Sequence, residues 1–199
     1  MLKKIGKITL VIILISIIGI IYLSSNFNPM FENETFVELK KQISNSTNQD
    51  LNEITDVYKK THDINSVIGH FLTARKDFPK SESPALTAVL YVNPHLLHET
   101  NRNSLIIPIR NGIYGRKLEN EFSNENLIKY QFENADYLYG NKGVRSASKF
   151  YFDKNLSELN KDEKLTLIFM LDNPSLYNPK RHPDRVEKKL KTYREILNK

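Results

Sequence analysis

Apolar residues in much of this chain recur every three or four positions, the spacing of one face of an α-helix. The pattern appears over residues 51–78, again from residue 83 to about 92, and again over residues 109–121. Gly112 and Gly115 lie in the third segment and cost about 1 kcal/mol each unless packing requires them. The pattern therefore predicts a mainly α-helical domain.

The clearest helix signals lie after residue 140. Gly140 and Gly143 bracket a turn that a side chain would hinder, and small residues then begin a helix that ends near residue 152. Asn160 can cap the next helix while Glu163 reaches back to it, just before the apolar run at residues 165–171. This run is apolar on most sides, so the second helix is predicted to be buried.

Prolines follow that buried helix. Asn173-Pro174 should end it, and the prolines at positions 179 and 183 should keep the next segment extended. A last helix then begins near Arg185. Its apolar residues, including Leu190 and Tyr193, lie on one stripe, which predicts a packed face and a basic, solvated face.

The first 25 residues carry a different pattern. Residues 8–25 contain no charge and are long enough to cross about 30 Å of hydrocarbon, and Lys3, Lys4 and Lys7 precede them. These lysines predict a cytoplasmic N-terminus and an extracytoplasmic domain. A cleaved signal peptide is the alternative, although no clear small-x-small site follows. Residues 26–50 are polar and are predicted to form a stalk with at most one helix, around residues 36–43.

Length and charge narrow the classes of protein. The 199 residues suit one compact domain, here residues 51–199, plus the anchor at residues 1–25 and the stalk between them. The net charge of +6 is compatible with nucleic acid, anionic lipid or a phosphorylated substrate. No nucleic-acid motif is visible, and the apolar start favours a membrane. Because there is no cysteine, the sequence predicts no cysteine zinc site and does not indicate the redox compartment.

The spacing of Gly140, Gly143, Ala147, Tyr151-Phe152 and Lys154, followed by Pro174-Ser175 and Tyr177-Asn178-Pro179, resembles that of glycosyltransferase family 51, the peptidoglycan glycosyltransferase domain of penicillin-binding proteins and monofunctional transglycosylases. The family pattern is G-x-x-G-[IV]-x-x-A-[AS]-x-x-Y-F-x-K, then L-x-x-x-E, then P-S-x-Y-N-P-x-x-x-P and a basic amphipathic helix. Without a gap, the matching residues are Gly140, Gly143, Val144, Ala147, Ser148, Tyr151, Phe152, Lys154, Leu159, Glu163, Pro174, Ser175, Tyr177, Asn178, Pro179 and Pro183. Residues 117–123 extend the match upstream, so it covers roughly the last two fifths of the chain.

The resemblance implies a lysozyme-like helical fold behind a transmembrane helix, and a function in peptidoglycan assembly. It implies as partners a lipid-linked peptidoglycan precursor or glycan strand, the bacterial membrane and other cell-wall synthesis proteins, and Mg²⁺ as cofactor if the protein is active. Such glycan transfer needs a base for the acceptor hydroxyl and cations for the departing diphosphate.

The two glutamates that the family uses are not clearly present. Counting back from Glu119 puts Asn111 at the position of the second glutamate, and an asparagine side chain cannot act as a base. Residues 58–65 are a distant echo of F-x-x-H-x-G-[IF]-D, which places the first glutamate near Glu53. Glu53 is therefore the candidate base, and the alternative is an ordinary surface carboxylate. Glu32 is a weaker candidate because it lies close to the anchor.

Several basic residues could bind phosphate, although a run of charge is usually a solvated face. These candidates are Arg110, Arg116, Lys117, Lys142 and Arg145. His95, His98 and Glu99 suggest a metal, but their spacing does not match a known zinc motif, so no metal site is predicted.

Three functions remain open from the sequence. The protein could be an active glycan polymerase with a divergent base, or a non-catalytic binding or scaffold protein of the cell-wall machinery that has lost the glutamates. It could also be a membrane-anchored basic helical domain whose resemblance does not extend to function. The loss of both glutamates favours a transglycosylase-like protein with impaired activity.

Overall fold

The computed structural model describes residues 9–15, 17–19, 22, 29–73, 81–96 and 106–197. From residue 29 on it is mainly helical, as predicted. The helices are α1 (Glu34–Asn45), α2 (Asn52–Thr61), α3 (Val67–Thr73), α4 (Pro84–Leu96), α5 (Ile106–Glu121), α6 (Asn124–Asn134), α7 (Val144–Phe152), α8 (Lys161–Asp172) and α9 (Pro183–Leu197). Short 3₁₀ turns lie at Pro29–Glu32, Gln49–Leu51 and Leu156–Glu158.

Two short strands interrupt the helices. β1 (Asp63–Ile64) and β2 (Ser81–Glu82) pair in parallel, with Asp63 opposite Ser81. The sequence pattern predicted one continuous helical segment over residues 51–78, and this is a difference from the structure. α2 ends at Thr61 because His62 takes up an extended conformation, and the chain then pairs with β2 before α3 begins.

The predicted membrane span lies partly outside the described residues. Residues 9–15 and 17–19 are helical, whereas positions 8, 16, 20–21 and 23–25 are among those not described. Within the described residues no helix has both the length and the hydropathy needed to cross a membrane.

The segment predicted to be a polar stalk contains the one helix expected around residues 36–43, but that helix packs into the domain. Residues 34–45 form α1, and its Phe36, Leu39 and Ile43 are fully buried. The Phe36 ring lies 4.5 Å from the ring of Tyr114 in α5, centroid to centroid. The polar composition of this segment belongs to its outer face, while three apolar residues at helical spacing are enough to pack α1 into the domain.

Two groups of buried side chains make up most of the interior. The first joins α1, α4, α5 and α6, and includes Leu39, Val89 and Leu118. The second joins α2, α6, α7 and α8, and includes Ile54 and Leu167. A third, smaller group packs α9 on α8. Helix α6 lies between the two larger groups and contributes side chains to both.

Local signals after residue 140 are confirmed. Gly140 and Gly143 have φ angles of 77° and 81°, and a Cβ on Gly143 would lie 2.8 Å from the carbonyl oxygen of Glu133. Asn160 Oδ1 accepts a hydrogen bond from the backbone N–H of Glu163, and the Glu163 carboxylate accepts one from the N–H of Asn160. The buried helix therefore begins at the predicted capping box.

The segment after α8 is not extended as predicted. It forms turns, in which Tyr177 N donates to Asn173 O and His182 N donates to Asn178 O. Proline restricts the residue before it, but asparagine side chains can form local turn hydrogen bonds that bend the chain. Asn178 Oδ1 does this by accepting from the backbone N–H groups of Lys180 and Arg181.

Candidate functional site

Family-matching polar residues around α7 and α8 join elements of the fold. Lys154 Nζ lies 2.6 Å from Glu163 Oε1, which links the end of α7 to the start of α8. Ser148 Oγ donates to the carbonyl oxygen of Lys154 at 2.8 Å. The carboxylate of Glu163 also accepts a hydrogen bond from the N–H of Asn160 at the start of α8. This one side chain therefore stabilises both the loop after α7 and the beginning of α8.

Asn178 and Tyr151 form a second link. The fully buried Asn178 donates from Nδ2 to the Tyr151 hydroxyl at 3.3 Å, and that hydroxyl donates to the carbonyl oxygen of Tyr137 at 2.6 Å. Burial raises the pKa of Tyr151 to about 12. These hydrogen bonds join the turn after α8 to α7. The motif residues Tyr151 and Asn178 therefore have structural roles.

Glu53, the predicted base, lies on the first turn of α2. Its side chain is 69% exposed and its Oε1 accepts a hydrogen bond from Lys164 Nζ at 2.5 Å. Lys164 is 5% exposed and lies on α8. Glu53 is therefore the counterion of a nearly buried lysine, which is a structural role for a carboxylate on the surface.

Asn111 lies inside the protein. It is 5% exposed on α5, and its Oδ1 has no hydrogen-bond partner among the described residues. One turn later, Gly115 allows α3 to approach, since a Cβ there would lie 2.9 Å from Val67 Cγ2. Asn111 belongs to the α5 region and Glu53 to the α2–α8 pair, so the two predicted catalytic positions lie on elements that pack in different buried groups.

The predicted phosphate-binding residues lie in two places, along α5 and beside the 140–143 turn. Arg116 pairs with Glu119 at 3.1 Å and Lys117 with Glu121 at 2.9 Å, both along α5. Arg110 is half-buried on the same helix.

The other two candidates lie beside the 140–143 turn. Arg145 makes two hydrogen bonds to Asp50, of 2.6 and 2.8 Å, and the hydrogen bond from Arg145 lowers the pKa of Asp50. Lys142 is exposed, and its backbone pairs with Asp136. The side chains of Arg116, Lys117 and Arg145 are thus already paired with acidic side chains. A shared anion site among the five residues stays a prediction.

The suggested metal ligands cannot be placed. His98 and Glu99 lie outside the described residues, as does the side chain of His95. Within the described part of the chain, no group of three or more histidine, cysteine or acidic side chains could hold a metal ion. Mg²⁺ stays a prediction.

The structure brings together a set of titratable side chains that the sequence analysis did not predict. We call it the interior polar cluster, and it consists of Tyr58, His62, Asp172 and Lys189. The His62 ring stacks on the Tyr58 ring with centroids 4.0 Å apart, and its Nε2 lies 3.8 Å from Asp172 Oδ1. Asp172 Oδ2 accepts a hydrogen bond from Lys189 Nζ at 3.0 Å. The cluster joins the ends of α2 and α8 to α9.

Each member of the cluster has further contacts that hold it in place. His62 Nδ1 lies 3.0 Å from Thr61 Oγ1 and 3.2 Å from the carbonyl oxygen of Tyr58. Lys189 Nζ lies 3.9 Å from the ring centroid of Tyr177, within the range of a cation–π contact. Asp172 ends α8, where the helix dipole disfavours an anion, and the ammonium group of Lys189 compensates for this.

Burial controls the protonation of the tyrosines around the cluster. Burial, together with the negative charges of Glu82 and Asp172, raises the pKa of Tyr58 well above its usual value. Burial raises the pKa of Tyr91 to about 12, with a smaller effect from Glu82. These hydroxyls therefore stay neutral at physiological pH and are not suited to act as bases.

The imidazole end of the interior polar cluster is closed to solvent. The His62 side chain is 0% exposed, and its Nε2 faces Asp172 rather than solvent. The arrangement suits a structural ion network that orients α9 on α8. In sequence, the signal for it was a histidine in the weak motif echo and an aspartate directly before Asn-Pro, and neither residue type identifies a distant partner.

The sequence of this chain is similar to those of several known proteins. The transglycosylase family model matches residues 87–198, which is more than half of the chain. Penicillin-binding protein 1F of Bacillus subtilis is 26% identical over 113 residues, 57% of this chain. Penicillin-binding protein 2a of Streptococcus pneumoniae is 40% identical over 63 residues, 32% of this chain, and penicillin-binding protein 4 of Bacillus subtilis is 28% identical over 99 residues, 50% of this chain.

These relatives are much longer proteins. The matched segments amount to 15% of penicillin-binding protein 1F, 9% of penicillin-binding protein 2a and 15% of penicillin-binding protein 4. The matched region of this chain includes α5 to α9, where the motif residues lie, whereas α1 to α3 precede it.

Proposed function

Because this chain belongs to the transglycosylase family, we propose that it is a peptidoglycan glycosyltransferase-like protein, related to glycan-strand synthesis from lipid-linked precursor, with impaired transfer activity. The proposal separates binding from chemistry. The helices that bear the family motifs are complete, whereas neither predicted catalytic position offers a carboxylate suited to a base.

The observation that carries this proposal is the environment of those two positions. Glu53 is paired with the nearly buried Lys164, whose ammonium group occupies one of its carboxylate oxygens. Asn111 is an amide in the interior, and it supplies neither a negative charge nor a proton acceptor of useful basicity. Loss of a positioned general base usually lowers a rate by about 10² to 10⁴.

The test is polymerisation of lipid-linked disaccharide precursor by the purified full chain, in the presence of Mg²⁺. We expect little or no glycan product compared with an active transglycosylase assayed in parallel. Glu53→Gln should leave this low rate unchanged, and Lys60→Gln, at an exposed lysine on the same helix, is its control. Robust polymerisation by the wild type that Glu53→Gln abolishes would show instead that Glu53 is the base.

A non-catalytic binding or scaffold function in cell-wall assembly is the second candidate. The intact links between α7, α8 and the turn after α8 favour it, because they preserve a rigid helical surface without supplying a base. Retention of the precursor or of glycan strands by a protein that does not polymerise them would support the scaffold function. Restored polymerisation in Asn111→Glu would show that the lost carboxylate is the main defect.

The proposed location follows from the apolar segment at residues 8–25 and the lysines before it. We place the N-terminus in the cytoplasm and the helical domain outside the membrane, anchored by a single span. Protease added to intact spheroplasts should digest the domain. Full protection from the protease would exclude this topology.

A further inference from the structure

A groove runs between the turn after α8 and the outer face of α9. Its volume is about 310 Å³, at the lower end of the range for small-ligand sites. The lining residues are Leu176, Tyr177, Arg185, Lys188, Lys189 and Thr192. Three of the six are cationic, and none of these described lining residues is acidic.

Two of these cations differ from the basic residues predicted to bind phosphate. Arg185 and Lys188 are exposed, and among the described residues no carboxylate lies within ion-pair distance of either one. Arg116, Lys117 and Arg145, by contrast, each pair with an acidic side chain. An anion entering this groove would therefore not have to displace a bound carboxylate from Arg185 or Lys188.

The third cation is already held in position. Lys189 Nζ is fixed by Asp172 and by the rings of Tyr177 and Phe169, at 3.9 and 4.6 Å from their centroids. Fixing a lysine before a ligand arrives lowers the entropy lost on binding. Leu176 and the Tyr177 ring form an uncharged wall on one side, and the Thr192 hydroxyl adds a possible donor.

We propose that this groove is a phosphate- or diphosphate-binding site, with Arg185 and Lys188 contacting the anion and Lys189 supplying a fixed positive charge beside it. Guanidinium and ammonium groups form charge-assisted hydrogen bonds with phosphate oxygens. The uncharged wall accommodates the group esterified to the phosphate. This site does not depend on transfer activity, so it goes beyond the proposed function.

Calorimetric titration of the full chain in uncharged detergent with inorganic diphosphate tests the site. At low ionic strength we expect saturable binding that weakens as salt is added, because the groove is open to solvent. Arg185→Ala and Lys188→Ala should each weaken binding by roughly 10-fold, the effect of losing one charge-assisted hydrogen bond. Lys161→Ala and Lys60→Ala remove exposed lysines elsewhere and should leave the affinity unchanged.

A second titration identifies the source of the phosphate. Short-chain phosphatidylglycerol and short-chain phosphatidylcholine are compared in the same detergent. Preference for phosphatidylglycerol that is lost in Lys188→Ala and competed by diphosphate would assign the site to a lipid headgroup. Binding of diphosphate with no such lipid preference would assign it to a soluble phosphate compound.

Two results would overturn the proposal. One is the absence of saturable diphosphate binding by the folded wild type. The other is an equal loss of affinity in Lys161→Ala and Lys188→Ala, which would show attraction to the overall positive charge and no specific site. Because Arg185 and Lys188 are exposed on α9, their alanine variants are expected to fold, and circular dichroism checks this.

Discussion

Two regions of this protein differ in how their buried polar groups are satisfied. Around α7 and α8, the family-matching residues Lys154, Glu163 and Asn178 all have hydrogen-bond partners. In α2 and α5, where the catalytic glutamates were expected, Thr55 Oγ1 and Asn111 Oδ1 are buried and have no such partner in the described part of the chain. The polar side chains of the first region help to specify its fold, whereas the second region is well packed around polar atoms that lack such bonds.

This difference explains why a close motif match need not extend to the positions where the catalytic glutamates were expected. Hydrogen bonds such as Asn178–Tyr151 stabilise the turn whatever the protein does, so losing them would cost stability. A catalytic carboxylate contributes to rate and not to folding, and its loss leaves the helix intact. Membership of the family therefore does not imply the activity.

The largest expected effect is that of Leu167→Asp. Leu167 is fully buried in α8, and an unpaired carboxylate there should lower the free energy of unfolding by about 4 kcal/mol or more. Thermal unfolding followed by circular dichroism measures it, with the exposed Lys161→Asp as control. An unchanged melting temperature would show that α8 does not form the core of the motif region.

A direct comparison of the two regions comes from two buried asparagines. Asn178→Ala removes one donor and one acceptor that serve Tyr151, Lys180 and Arg181, and should cost about 2–3 kcal/mol. Asn111→Ala removes an acceptor that has no partner, and should cost at least 1 kcal/mol less. Denaturant unfolding of both variants gives the two values. Equal losses of unfolding free energy in the two variants would show that the two regions do not differ in this way.

The smallest expected effect concerns pH. Burial tends to raise the pKa of Glu163, but the hydrogen bonds from Lys154 and from the Asn160 N–H outweigh it, so its pKa is lowered. A lowered pKa stabilises the folded state above the unfolded pKa of about 4.3, and this contribution is lost as the pH falls through the folded value.

We therefore expect the free energy of unfolding of the wild type to exceed that of Glu163→Gln by on the order of 1 kcal/mol at pH 7. This difference should shrink toward pH 3. Unfolding by urea across this pH range measures it. Asp153→Asn is the control, because Asp153 also pairs with a lysine but its side chain is 92% exposed. A difference that grows at low pH would contradict the role assigned to the Lys154–Glu163 pair.

Features that depend on neighbours in sequence were predictable. The capping box at Asn160 and Glu163, the glycine turn at residues 140–143 and the buried stripe of α9 involve residues at most a few turns apart. Their physical causes, orphan N–H groups at a helix start and the steric limit on positive φ, act locally. The sequence therefore determined the helical class and the helix starts of the motif region, but not the turns after α8.

Only the tertiary structure decided which polar residues meet. Glu53 contacts a lysine 111 positions away, and His62 lies beside Asp172 at the end of α8, which in turn binds Lys189 of α9. Likewise, Phe36 packs on Tyr114, so residues 34–45, which were predicted to lie in a stalk, contribute to the core. Burial and long-range pairing depend on how the helices pack against one another, and a linear pattern records the apolar face of a helix without recording what covers it.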